Sequence, residues 1–322
     1  MGMKKTRLIF GATSTQPVGT TDSQIEQIYQ HAYKPFLKAL YNTPATPATL
    51  HFSGQLLTWL DRHHSEYTDV LSEMVGRKQV ELLVGGFYDP VFSLIPRQDQ
   101  IGQIERLTTL LRKRFGRRPR GSWITKHVWD PTLASTMKSS GMDYVFLDDY
   151  HFAVAGLTGD DLHRSCLTED QGKTIVVFPV CHELISIARA GSPQETIDYL
   201  LSRVSDDPSR IYTLIDEGEG YADSGRSTNG SGEREQWADR FLALLDERSD
   251  EIEAVLPSQV IRESRPRARR YFPSASYGEL LSVSATDEKK KMADSIRSRF
   301  GDASDPYLYG GCFRQFLTRY GE

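Results

Sequence analysis

A chain of 322 residues with 39% hydrophobic content has material for one large α/β domain and a smaller appendage, which excludes disordered and fibrous classes. Its 39 basic and 43 acidic residues leave a formal charge of -4, which offers no general field for nucleic acid or an anionic membrane, so a neutral partner suits it. Cys166, Cys181 and Cys312 lie far apart without CxxC spacing, which argues against a disulfide framework or a zinc site and for a reducing cytoplasm.

The opening MGMKKTRLIF lacks the apolar run of a signal peptide, and nothing later approaches the roughly 18 apolar residues of a membrane span. Short matches to a myristoylation pattern at residues 2–6 and to a glycosylation sequon at Asn229-Gly230-Ser231 are what chance provides. The first predicted strand is RLIFG, residues 7–11. A helix follows, with Ile25, Ile28, Tyr29, Ala32, Phe36 and Leu40 at three- and four-residue steps and Ser23 and Glu26 at capping-box spacing. Strands are predicted at 49–52 (TLHF) and 80–84 (VELLV). After Pro96, Ile101, Ile104, Leu107 and Leu111 make one helical stripe. Strand 122–125 (SWIT) runs into Lys126 and His127, with Asp130 as a predicted N-cap and Pro131 as first helical residue. Three more strands read at 143–147 (DYVFL), 174–179 (TIVVFP) and 211–215 (IYTLI). Residues 218–232 are rich in Gly, Ser and Asn, either a solvated tether or a lid. The basic run at 262–270, a solvated face or a polyanion site, marks a boundary before a last helical stretch, DEKKKMADSIRSRF.

Strands alternating with helices imply a parallel sheet with right-handed crossovers, closed as a barrel or open and doubly wound. No GxGxxG follows the first strand and no P-loop is present, which favours the barrel. Functional groups should then gather at the C-terminal strand ends. Those ends carry Thr15-Gln16-Pro17, His51, Phe87-Tyr88-Asp89-Pro90, Lys126-His127, Asp148-Asp149-Tyr150-His151, Cys181-His182-Glu183 and Asp216-Glu217-Gly218-Glu219.

Five motifs in order, HFSGQLLTWL (51–60), ELLVGGFYDPVFSLIP (81–96), WITKHVWDP (123–131), MDYVFLDDYHF (142–152) and DEGEGY (216–221), resemble glycoside hydrolase family 57, the α-amylase and 4-α-glucanotransferase type. The resemblance implies an α/β fold, a seven-stranded incomplete (β/α) barrel of TIM-like form followed by a C-terminal helical region, acting on α-glucans by a retaining mechanism without metal or other cofactor. It implies a barrel over residues 1–261 and a partial helical bundle over 262–322, shortened or continuing in a longer protein. Phe313, Phe316 and Leu317 would then mark contact with a further C-terminal domain or a second copy in a homo-oligomer.

By the same resemblance the general acid/base falls on Glu217 and the nucleophile position on Lys126. A retaining glycosidase needs a carboxylate about 5 Å from its acid, and an ammonium group there has the wrong charge. Lys126 is expected to pair with Glu217 or Asp216 and keep an acid ionised that ought to carry a proton. The family's histidines are replaced by Thr13, Thr15 and Ile215, and its arginine after the nucleophile by His127. Groups suited to holding a sugar remain: Gln16, His51, Tyr88, Asp89, Trp123, Trp129, Asp148, Asp149 and Asp216, together with Phe87. Each has a plainer account. Trp123 and Trp129 serve equally as core packing, Asp148-Asp149 as a turn cap, and His51 as a satisfied strand-end histidine.

Three functions follow. The first is a catalytically impaired protein that binds or senses an α-1,4-glucan or malto-oligosaccharide. The second is an active 4-α-glucanotransferase or α-amylase using Glu217 with Asp89, Asp216 or Glu219 in place of the usual nucleophile. The third is a barrel deacetylase, which Asp-Glu-Gly after a strand faintly resembles and which the lack of an HxxxH-type pair opposes.

Overall fold

The computed structural model describes residues 4–221, 237–264, 266, 268–276, 285–301 and 304. The sequon at Asn229, residues 222–232 of the glycine-rich loop, Cys312, Phe313, Phe316 and Leu317 lie outside the described residues. Among the described residues nine strands join one sheet: β1 (Thr6–Ser14), β2 (Ala48–Phe52), β3 (Val80–Val84), β4 (Gly121–Ser122), β5 (Tyr144–Asp148), β6 (Cys166–Asp170), β7 (Lys173–Val180), β8 (Ile211–Glu217) and β9 (Ile252–Ala254). The seven apolar segments read from the sequence fall at β1, β2, β3, β4, β5, β7 and β8. These seven pair in parallel in the order β7-β5-β4-β3-β2-β1-β8.

Such strands are apolar on both faces because each face has a core of its own. Along β1, Leu8, Phe10 and Ala12 join the large core beneath the helices. The alternate residue Ile9 joins Leu83, Phe146, Phe178 and Ile215 inside the barrel. Continuing that alternation toward the strand ends brings Thr13, Asp148, Val180 and Glu217 to the barrel mouth, where a cavity opens.

The helices that flank the sheet are α1 (Asp22–Ile28), α2 (Lys34–Asn42), α3 (Gly54–His63), α4 (Ser65–Gly76), α5 (Arg97–Phe115), α6 (Leu133–Ser139), α7 (Asp149–Val154), α8 (His182–Ala190), α9 (Pro193–Leu201), α10 (Trp237–Glu247) and α11 (Pro257–Glu263). Between α1 and α2 the chain makes a π-helical turn, Tyr29–Tyr33, which puts Tyr29, Ala32 and Tyr33 all into the core. Two expected caps are displaced. α1 starts behind Thr21, whose side chain accepts from Gln24 N while Gln24 returns the bond, so the box sits two residues before Ser23. α6 starts at Leu133 rather than Pro131, because Asp130 Oδ1 accepts from Thr132 N (3.0 Å) in an Asx turn that delays the helix.

Two strands lack an apolar run. β6 pairs antiparallel with β7 through a tight turn in which Gln171 (φ 50°) and Gly172 (φ 74°) are both left-handed, and three-residue β9 pairs with the start of β1. From there α11 sends Val260 into the interior cluster with Ile9 and Ile211. The sheet is not closed. β7 and β8 share no ladder, and a backbone hydrogen bond from Cys181 N to Thr213 O (3.1 Å) crosses the gap. A helix over Asp287–Phe300, capped by Thr286, buries none of its residues. Among the described residues no helix is long and apolar enough to cross a membrane.

Candidate active site

The cavity at the strand ends holds about 350 Å³ and is lined by residues from β1, the loop after β3, the ends of β4, β5, β7 and β8, and by His182, Ile185 and Arg189 of α8. Three residues on this rim, Asp89 (φ 53°), Lys126 (φ 51°) and His127 (φ 49°), adopt a left-handed backbone that costs a side-chain-bearing residue energy. β4 ends at Ser122. After Ser122 the chain turns at Thr125–His127 instead of running on as a strand, and the turn aims Lys126 across the mouth.

Lys126 Nζ donates to Glu217 Oε1 at 2.8 Å, so the ion pair expected from the sequence is present, and it joins two strands that are not neighbours in the sheet. Both side chains are more than half exposed, 53% and 56%. The hydrogen bond from Lys126 holds the Glu217 carboxyl below the usual glutamate range, against the opposing effect of burial. Asp216 is not the partner of Lys126. Arg189 takes it with a two-toothed grip, Nε to Oδ2 at 2.7 Å and Nη2 to Oδ1, and Asp216 Oδ1 also accepts the backbone N–H of Glu217 (2.7 Å). Gln16 faces the third carboxylate of that strand end, donating to Glu219 (3.0 Å) and to the Tyr33 hydroxyl (2.7 Å), which itself donates to Glu219. Burial pushes the Glu219 carboxyl up.

Asp89 accepts from the Thr125 hydroxyl (2.6 Å) and lies 3.9 Å from His51 Nε2. His51 is wholly buried and fits only because residue 85 is glycine: a Cβ there would stand 2.6 Å from the imidazole. Trp123 lines the cavity with its ring 4.6 Å from that of His127, edge to face. Burial pushes His127 down to about 4.

At the end of β5 the two aspartates divide their roles. Burial opposes charge on Asp148, yet the hydrogen bond from His182, and then His127 and His151, hold its carboxyl below the usual range. Asp149 is pushed up to about 7 by burial and then by the charge of Asp148. Asp148 caps Tyr150 N (3.0 Å) and Asp149 accepts from His182 N (3.0 Å), so turn capping, one of the two accounts read from sequence, is present, while Asp148 also lines the cavity.

Trp129 is a correction. It is 1% exposed, donates its indole N–H to Phe272 O (3.2 Å) and pairs its backbone with Ala275, so it is a packing residue that no ligand can reach. Tyr88 stands outside the described lining, 44% exposed, braced by Phe87 and by the Arg106 guanidinium 5.2 Å from its ring. The sequence alone does not single out Arg189 or Tyr33. Both sit on helices where nothing in the local pattern separates them from ordinary surface or core positions. Among the described residues no group of three His, Cys, Asp or Glu side chains is arranged to hold a metal ion.

The family model for glycosyl hydrolase family 57 matches residues 13–273. Alpha-amylase 1 of Dictyoglomus thermophilum is 34% identical over 320 residues, 97% of this chain and 46% of that protein. The crystal structure of 4-alpha-glucanotransferase from Thermococcus litoralis superposes with a TM-score of 0.89 at 31% identity, over 98% of this chain and 50% of that one. A GH57-type branching enzyme from Pyrococcus horikoshii shares the fold at 13% identity, TM-score 0.64, over 99% of this chain and 86% of that one. The chain spans about half the length of the curated relatives it matches.

Proposed function

This chain belongs to glycosyl hydrolase family 57, and from that premise we propose that it is an α-glucan-binding barrel whose hydrolytic or transfer chemistry is silenced at Lys126. The carrying observation is the Lys126–Glu217 ion pair. In the proposed assignment Lys126 occupies the nucleophile position and Glu217 the acid/base position. An ammonium there opposes the positive charge that develops on the sugar, and it holds ionised the carboxyl that should protonate the leaving oxygen. Both halves of the reaction suffer from one substitution. The groups that would receive a malto-oligosaccharide are Asp89, Trp123, Asp148 and Asp216 in the cavity, with Gln16, His51, Asp149 and Tyr88 outside its lining. We place a region distinct from the barrel beyond residue 276 rather than at 262, because α11 runs through 262 and Phe272 and Ala275 pack into the barrel core; the helix over Asp287–Phe300, with no buried residue, supports it.

A second reading keeps the protein an active 4-α-glucanotransferase or α-amylase, with another carboxylate as nucleophile. Asp89 favours it, since it lines the same cavity. Asp216 and Glu219 serve it less well, held by Arg189 and by Tyr33 with Gln16. Calorimetric titration of the full chain with maltoheptaose, followed by long incubation and chromatography, separates the two. The first reading expects binding heat and no new oligomers. Oligomers of new length select the second, and absence of heat defeats glucan binding.

A further inference from the structure

The gap between β7 and β8 is spanned by a helix where a ladder would otherwise stand. α8 starts against β5: His182 N donates to Asp149, and the His182 imidazole lies 3.5 Å from Asp148 Oδ2. Two turns later the same helix reaches β8, where Arg189 grips both oxygens of Asp216. Asp216 Oδ1 is shared. It takes one tooth of the guanidinium fork and also the peptide N–H of Glu217. The direction in which Glu217 leaves its strand is therefore tied, through one buried carboxylate, to a helix on the far side of the gap.

We propose that Arg189 is a positioning residue that sets Glu217 in the mouth of the barrel by way of Asp216, doing at this seam what strand pairing does elsewhere around the sheet. Its geometry differs from an ordinary surface pair. Asp216 is 5% exposed, so losing the fork leaves a largely desolvated carboxylate, and only a planar guanidinium can bond both its oxygens at once. The Arg189 charge also bears on Glu217 directly, adding to the stronger influence of Lys126 in keeping that carboxyl low. The inference rests on the reading of Glu217 as the acid/base position only where turnover is measured.

The test uses the full chain with Arg189→Gln and Arg189→Lys, read in two ways. The amide resonance of Glu217 reports the bond to Asp216 and needs no activity; both variants are expected to move it, because lysine carries the charge but lacks the fork. In a Lys126→Glu background, where turnover is expected, both variants should lower kcat about tenfold or more with KM within about twofold, as loss of alignment does. An unmoved Glu217 amide in both variants overturns the proposal. Full rescue by Arg189→Lys overturns it too, since charge alone would then suffice. If Lys126→Glu shows no turnover the functional reading has failed, and the amide resonance still decides the role of Arg189. Should Arg189→Gln not fold, Arg189→Lys carries the same test.

Discussion

Replacing Lys126 by methionine removes the ammonium and keeps most of the aliphatic stem. At 2.8 Å the bare attraction to Glu217 is about 1.5 kcal/mol in bulk water and roughly 6 kcal/mol at an effective dielectric of 20. The exposure of the two side chains, 53% and 56%, decides between them. Pairs so open to water contribute about 0.2–1 kcal/mol once side-chain ordering and screening are counted. The variant should therefore lose less than about 1 kcal/mol of unfolding free energy at pH 7, measured by urea denaturation. The pH dependence has a definite sign. Glu217 has a folded pKa below its ordinary 4.5, so the contribution is complete above 4.5 and disappears as pH falls through the folded value. Wild type and variant should converge in that acid range. A loss above about 2 kcal/mol at pH 7, or a gap that persists at low pH, would refute the view that the pair governs site charge rather than holding the barrel together.

Asp149→Asn supplies a neutral isostere where the folded carboxyl, raised from 3.8 to about 7, prefers its proton. The preference stabilises the fold below 3.8 and is lost as pH rises through 7, so the variant should gain on wild type progressively between those values; a constant difference would contradict the assigned shift. Gly85→Ala would press a Cβ 2.6 Å from the His51 ring and 3.2 Å from Trp123 O, and should cost about 1–3 kcal/mol in thermal unfolding; an unchanged melting temperature would show that His51 has room to move.

The barrel was legible because its chemistry repeats. Most of the seven parallel strands are short, largely apolar runs buried on both faces, as such a strand requires, although β4 is only Gly121–Ser122 and β2 carries Thr49 and His51. β6 escaped notice since Cys166–Asp170 has a half-polar edge pattern, although Gln171-Gly172 before Lys173 carries the hairpin signal that would have placed it. The Lys126–Glu217 pair was legible from strand-end position and motif together. Trp129 was not, because a strand-end tryptophan looks the same in sequence whether its ring faces the mouth or turns back under Phe272 and Ala275. Arg189 was hidden for another reason: its proposed role depends on the β7–β8 gap, and no local pattern announces where a sheet fails to close.

The proposed silencing role of Lys126 is tested most directly by incubating Lys126→Glu with maltoheptaose over a long time course and resolving the products chromatographically. Wild type and the double variant Lys126→Glu/Glu217→Gln run beside it. Silencing by one lysine predicts no change in wild type, shorter and longer oligomers from Lys126→Glu, and none from the double variant. Products formed by wild type and abolished by Glu217→Gln would contradict it, and would turn the search to Asp89 as nucleophile.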